Sequence, residues 1–174
     1  MHLVVTCFEQ KTRIMNAKKI LCPIDFSPCS DVAFQHAVEL ARCNRAALVI
    51  AHVSAPPPTY ISGFAGYGAL PPYEPEPDPR LEKVKVSDIS VNLERVHLVG
   101  IEGEVIVKYA EQFDCDLIVM GTHGYGGFTR FLLGSVADYV MRHAKCPVIV
   151  IRDKRREGQR QGKGSQGKGS TTVA

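Results

Sequence analysis

Gly121-Thr-His-Gly124 is followed nine residues later by Gly134-Ser135, which spells G-x2-G-x9-G-[ST]. The run directly follows the apolar Leu117-Ile-Val-Met120 and leads into Val136 to Ala144, whose apolar residues recur at helical spacing. A strand that ends in glycines and runs toward a helix start is where α/β proteins hold phosphate. Backbone N–H groups are unpaired there, and the helix dipole favours an anion. A Cβ would block close approach of the phosphates or forbid the positive-φ turns that aim the N–H groups inward. Ser135, read as the N-cap, offers its hydroxyl to the helix or to a ligand.

A second group with chemistry is Asp25, at the end of the apolar run Lys19-Ile-Leu-Cys-Pro-Ile. Its carboxylate accepts hydrogen bonds from hydroxyls or an amine, so beside a glycine-rich anion nest it suits the ribose or base side of a nucleoside phosphate. The competing role for Asp25 is a cap for the helix start at Ser27–Ser30. His123 is the one proton carrier among the glycines, and holding the loop in shape by hydrogen bonding is its preferred role.

The elements that must position these groups follow from periodicity. Lys19 to Asp25 reads as a first buried strand, and Ser27-Pro28 as an N-cap with proline at the first helical position. Apolar pairs at Ala33/Phe34, Ala37/Val38 and Leu40/Ala41 give the helix its 3.6-residue rhythm. Ala47 to Val53 is a second strand with almost no polar alternation, as suits a parallel sheet covered on both faces. A short helix begins at Pro79 and a third strand lies around Arg95 to Val99. Gly103 precedes another helix, Leu117 to Met120 forms a fourth strand, and Val148 to Ile151 a fifth. Strands alternating with helices predict a doubly wound, Rossmann-like α/β fold: an open five-stranded parallel sheet in the order 3-2-1-4-5 with helices on both faces. Ligands of such sheets bind outside the carboxyl ends of the strands where strand order reverses, between strands 1 and 4.

Composition bounds the rest. The chain has 174 residues, 45% of them hydrophobic, which suits one globular domain. Residues 18–152 form that domain, 1–17 read as an N-terminal extension, and 153–174 as a flexible basic Gly/Ser/Lys tail. Net charge is +3 overall; the stretch from Arg152 carries +5, which leaves the remainder at −2. A near-neutral body argues against nucleic acid as a partner, because phosphate-backbone binding needs a clustered basic face. No segment approaches 18 consecutive apolar residues, and residues 1–7 lack the basic lead-in of a secretory signal, so the expected location is the cytoplasm without a membrane partner. Residues 55–80 hold eight of the 11 prolines, a long connection of the kind that is a lid, a binding loop or disordered. The tail spells a decoy, G-x-G-x-x-G at Gly162, Gly164 and Gly167, with no strand before it. Six cysteines show no C-x-x-C pair or zinc-like spacing, so no protein-held metal is expected. Cys22 reads as a buried thiol. Cys115 and Cys146 each lie two residues before an apolar strand and are candidate neighbours, although a reducing compartment disfavours a disulfide.

Lys19 to Ser27 (KILCPIDFS), the strand ending His52-Val53, the block DLIVMGTHG with LLGSVADYV, and the ending CPVIVIR together resemble the universal stress protein family over residues 18–152. The glycine motif resembles that of its ATP-binding branch. By that resemblance Pro23, Ile24, Asp25 and the backbone of Val53 line the adenine and ribose, and Met120 and Gly121 touch the ribose. Gly124, Gly134, Ser135, Val136 and Ala137 hold the phosphates of ATP, with Mg2+ or Mn2+ carried through the phosphates. His123 is counted with this nucleotide-contacting set. The resemblance further implies a homodimer joined through strand 148–151 and a protein partner of unknown identity. Three features depart from the family: Tyr125 stands where a basic residue is common, the second helix is shortened, and residues 1–14 are surplus, with Met15 an alternative start. Arg130 is either a substitute phosphate cation or a solvated surface charge.

These features imply an ATP-binding stress-response regulator in which occupancy shifts conformation or partner choice, not an efficient enzyme, with slow hydrolysis at most. The alternatives are a dimeric partner-binding protein of the same fold without nucleotide, and an adenylyl-transferring enzyme of the wider superfamily. The latter needs a Gly-rich pyrophosphate loop after the first strand, where Asp25-Phe-Ser-Pro-Cys29 has no glycine.

Overall fold

The structure, a computed structural model, describes residues 16–56, 75–86, 88–122 and 133–152. The expectations placed on His123, Gly124, Tyr125, Arg130, the loop residues 57–74 and the tail from 153 lie outside these residues. The elements run β1 (Lys19–Pro23), α1 (Pro28–Asn44), β2 (Ala47–Ser54), α2 (Pro79–Lys83), β3 (Leu93–Val99), α3 (Glu102–Gln112), β4 (Leu117–Gly121), α4 (Ser135–His143) and β5 (Val148–Ile151). All five strands are parallel, in the order β3-β2-β1-β4-β5, which is the doubly wound sheet that the sequence predicts.

Alternation along each strand feeds two cores. Ile20, Cys22, Leu48, Ile50, Leu117, Val119, Ile149 and Ile151 pack with α1 and with Leu81 of α2 on one face. Leu21, Val49, Ala51, Ile118, Met120 and Val150 pack with Ile106, Val107 and Ala110 of α3 and Ala137 and Val140 of α4 on the other. A strand buried on both faces must be apolar at every position, which is why β1, β2 and β4 read as continuous hydrophobic runs. Each such side chain contributes about 1.5–3 kcal/mol by leaving water, so the centre of the sheet is its firmest part. Burial pushes the Cys22 thiol up to about 12, which keeps it protonated.

Local chemistry sets the element ends. Ser27 caps α1, its Oγ accepting from Ser30 N–H at 3.2 Å, with Pro28 at the first position. Arg45 closes α1 in the left-handed region, φ 53°. The paired starts of β1 and β4 are pinned by Asp116, whose Oδ2 accepts from Lys18 N–H (2.7 Å) and Lys19 N–H (3.0 Å). Among the described residues no helix is long and apolar enough to cross a membrane.

Two sequence-derived boundaries shift. Gly103 does not precede α3 but sits inside its first turn, buried, because α3 and α4 cross there. A Cβ on Gly103 would lie 2.7 Å from Tyr139 Cδ1 and 3.0 Å from Tyr139 Cβ. Ser135 is the first residue of α4, exposed; Gly134 occupies the N-cap position, and no side chain caps the helix. Gly103→Val is expected to destabilise the fold by about 1–3 kcal/mol through overpacking, with part recovered when Tyr139→Ala is added. Urea denaturation checks this, and an unchanged midpoint in the single variant contradicts the crossing.

Candidate functional site

The main chain of β1 alternates its polar groups between its two neighbours. Lys18 C=O accepts from Ala47 N–H and Ile24 N–H donates to Ala51 C=O, both on the β2 side, whereas Lys19 C=O accepts from Asp116 N–H beside β4. Odd residues of β1 therefore face β4, and Pro23 is one of them. Proline has no N–H. The next odd residue, Asp25, gives its N–H to Ser30 Oγ at 3.2 Å. The β1–β4 ladder accordingly stops at Leu21–Ile118, while the outer ladders continue to Pro23–Ala51 and Gly121–Ile151. Strand order reverses between β1 and β4, and hydrogen bonding ends early at that point.

Around this end gather the predicted residues. Pro23, Ile24 and Asp25 leave β1, with Ile24 buried and Asp25 half-buried. Asp25 is not the cap of α1, a position that Ser27 holds; its Oδ1 accepts from Ser27 N–H at 3.0 Å and so shapes the turn before the helix. That bond occupies one oxygen of the carboxylate. Val53 lies beyond the last β1–β2 bond on the side facing β1. The bond that would continue the ladder, from Val53 N–H to Ile24 C=O, is replaced by His52, whose Nδ1 reaches Ile24 O at 2.9 Å and must carry the proton. Val53's main-chain groups are thereby directed past the end of β1, toward the turn at Asp25.

On the β4 side the glycine motif is gathered by main-chain bonds. Thr122 N–H donates to Ile151 C=O at 2.9 Å, and Gly134 N–H donates to Thr122 C=O at 2.8 Å. The two ends of the motif are thus joined through Thr122, although 12 residues lie between Gly121 and Gly134 in sequence. The first intrahelical bond of α4 runs from Asp138 N–H to Gly134 C=O, so the N–H groups of Ser135, Val136 and Ala137 head the helix as its orphan donors. Val136 and Ala137 turn their side chains into the core, as does Met120, which leaves main-chain contacts as what these three offer a ligand. His123 and Gly124 fall between Thr122 and Gly134, outside the described residues.

Sequence reasoning missed three contributors. Cys29, in the first turn of α1, lies against the end of β4: its Sγ is 3.6 Å from Thr122 Oγ1 and 3.4 Å from Ile151 O. The N-termini of α1 and α4 therefore converge on Thr122, two positive dipole ends at one point. Phe26 has φ 60°, uncommon for a residue with a side chain. It is held by a tilted contact with the His52 ring (centroids 4.8 Å apart) and by the Arg80 guanidinium 4.2 Å above its own ring. Arg80 also holds Asp78, the N-cap of α2, by hydrogen bonds that lower its carboxyl to about 2. No local pattern marks Phe26 or Arg80; the pairing of β2 with β1 brings His52 to Phe26, and the packing of α2 through Leu81 brings Arg80.

Next to this stack, His97 pairs with His52 across β2 and β3, and its Nε2 is 2.8 Å from Ser54 Oγ. Burial first, then the His52 charge, lowers the His97 pKa from its ordinary value near 6.5.

Comparison with known proteins gives a consistent result. The model of the Universal stress protein family matches residues 16–152. A universal stress protein of Methanocaldococcus jannaschii, MJ0531, is 36% identical over 149 residues, 80% of this chain and 85% of that one. A second from the same organism, MJ0577, has a solved structure with a TM-score of 0.63 and 27% identity, covering 81% of this chain and 99% of that one. A universal stress protein solved in complex with cAMP has the same fold, with a TM-score of 0.55 at 22% identity over 79% of this chain and 98% of its own.

Two outcomes follow from the geometry. A Cβ at Gly121 would lie 3.0 Å from Cys29 Sγ and 3.1 Å from the Cys29 carbonyl carbon. Gly121→Ala should therefore lower stability by about 1–3 kcal/mol, and Cys29→Ala should restore only part, because the main-chain contact stays. Full restoration would show that the sulfur alone sets the spacing. The second outcome concerns acid. The unfolded chain binds a proton at His97 more readily than the folded one, so its contribution is present above pH 6.5 and is lost as pH falls through the lowered folded value. Denaturation at stepped pH should show a stability loss below pH 6.5 that is smaller in His97→Gln; equal losses would contradict the assignment.

Proposed function

The chain belongs to the universal stress protein family, and from that premise we propose that it binds ATP and acts as a stress-response regulator in the cytoplasm. The observation that carries the reading is the convergence at Thr122. Two helix N-termini, one of them without a side-chain cap, meet where the ladder between β1 and β4 ends. Such a point favours a phosphate group through orphan N–H donors and both dipoles. Asp25 and the main chain of Val53 sit on the β1 side of the same opening, polar groups suited to ribose hydroxyls and to an adenine edge. Pro23, Ile24, Met120 and Gly121 line the interval between, and Gly134, Ser135, Val136 and Ala137 head α4. His123 and Gly124 complete the motif by sequence. The universal stress protein solved with cAMP shares only the fold with this chain, and cAMP serves as one competitor in the test.

The regulator is a switch, not an efficient catalyst. An adenylyl-transferring enzyme would place a glycine-rich pyrophosphate loop after β1. Here the turn is Asp25-Phe26-Ser27-Pro28, with a phenylalanine at the positive φ where glycine would serve. Mg2+ or Mn2+ would enter through the ATP phosphates: among the described residues no three His, Cys, Asp or Glu side chains gather to hold a metal. β5 is a sheet edge of four apolar residues, and we assign the homodimer contact to it, since an apolar edge is normally paired or covered.

The test is direct. Purified protein, denatured, should release adenine nucleotide identified by mass, and calorimetry should detect ATP, ADP and AMP, with cAMP competing. Gly124→Val should lose ATP binding and remain folded. Asp25→Asn keeps the acceptor for Ser27 N–H, so its melting temperature should hold, whereas ATP affinity should fall about tenfold, the worth of about 1.4 kcal/mol. A folded Gly124→Val protein with undiminished ATP affinity counts against placing the phosphates at the glycine motif, and a wild-type chain that takes no adenine nucleotide leaves the partner-binding alternative.

A further inference from the structure

At the amino end of the sheet, opposite the candidate nucleotide site, Cys115 and Cys146 line one pocket of about 510 Å³ together with Ala110, Glu111, Asp114, Asp116 and Lys145. Both are thiols here, and both belong to the core beneath α3 and α4. Cys115 closes the connection from α3 into β4 and Cys146 the connection from α4 into β5. Ile118 pairs with Val148, and Ile118 N–H donates to Pro147 C=O at 3.0 Å. Asp116 N–H turns instead to Lys19 C=O, so regular strand geometry begins only at Leu117, and what brings the two thiols together is the pocket they share and the core to which both belong.

We propose that Cys115 and Cys146 form a redox-active dithiol that hydrogen peroxide converts to an intramolecular disulfide. This inference does not rest on the nucleotide reading. The pocket wall selects the oxidant. Glu111, Asp114 and Asp116 outnumber Lys145, which is itself paired with Glu111 at 3.1 Å, so the mouth disfavours anionic oxidants such as glutathione disulfide and admits a small neutral peroxide. Cys146 is half-buried, whereas Cys115 is only 6% exposed. Burial first, and Cys146 beside it second, push the Cys115 thiol up to about 12, so the first oxidation falls on Cys146. Cys146 releases its proton and its sulfur attacks one peroxide oxygen. The O–O bond breaks, the other oxygen leaves as water, and a sulfenic acid remains. The Cys115 sulfur then attacks the Cys146 sulfur, the S–O bond breaks, and the hydroxyl departs as a second water with the Cys115 proton. Two thiols lose two electrons and one peroxide becomes two waters.

The disulfide would close a loop that contains β4, the glycine motif and α4, so it should raise the melting temperature, since cross-linking a loop of this length constrains the unfolded chain. The experiment treats reduced full-length protein with hydrogen peroxide, blocks remaining thiols after denaturation, and maps peptides without reductant. The expected result is a cross-linked peptide joining residues 115 and 146, two hydrogens lighter than the separate peptides and reversed by dithiothreitol. Cys146→Ser should leave residue 115 fully alkylatable, and Cys115→Ala should accumulate sulfenic or sulfinic acid at residue 146. The wild-type map needs no variant to fold. A map in which Cys146 oxidises while Cys115 remains alkylatable, or in which neither reacts, overturns the proposal.

Discussion

The missing N–H of Pro23 is the constraint on which the arrangement depends. Every other odd position of β1 has a donor to turn toward β4, and at the amino end the two strands are additionally clamped by Asp116. At the carboxyl end proline removes the next donor, and Ser30 captures the one after it. The central ladder of a parallel sheet is where hydrogen bonding should be most complete, because both faces are covered and no water compensates a lost bond. Ending that ladder early leaves polar main chain to be satisfied by another partner, and the adjoining helix starts and Asp25 are already placed around the gap.

Glycine at position 121 has two reasons to be there, and they reinforce one another. The first is packing, since the first turn of α1 presses on β4 so closely that a methyl group would meet Cys29 backbone. The second, on the proposed nucleotide reading, is room for a ligand to approach. The packing is what brings the N-terminus of α1 to Thr122, so the residue that lets the helix close in is also the one that lets two dipoles share a focus. A glycine-rich turn that merely packs and one that serves an anion are therefore not rival readings at this position.

Much of the fold was legible because the strands are buried on both faces. Continuous apolar runs at residues 47–53 and 117–120, with helical rhythms between them, leave little choice but a doubly wound sheet, and the cap at Ser27-Pro28 was readable from two residues. The strand order was an expectation from fold rules and resemblance. What escaped lay in contacts between distant segments. Gly103 reads as a helix boundary in sequence, because nothing local reveals that Tyr139 will lie across it. Ser135 reads as a cap because serine prefers that position, but the bond from Gly134 to Thr122 moves the helix start back by one residue. Of the candidate site, Asp25 and the glycines at 121 and 134 were visible as residue types. Cys29, Phe26 and Arg80 were not, since cysteine, phenylalanine and arginine carry no positional signal until the strands are paired.

The Phe26 turn shows how the β1 side of the opening is held. A residue with a side chain at positive φ costs of order 1–3 kcal/mol, and a single exposed aromatic contact would not offset it. Phe26 has both the His52 ring and the Arg80 guanidinium against it, contacts each worth of order 0.5–1.5 kcal/mol. His52 in turn is tied to Ile24 C=O, the group whose engagement turns Val53 main chain outward. The strain at Phe26, the direction of Val53 and the seat of α2 are therefore one coupled arrangement. β2 ends at Ser54 beside His97, and α2 begins at Asp78 beside Arg80, so the proline-rich connection leaves and rejoins the described fold at this same stack. Removing the phenyl ring would release the turn that fixes Asp25 and the anchor of α2 together, a cost to set against the better backbone fit of glycine at this φ.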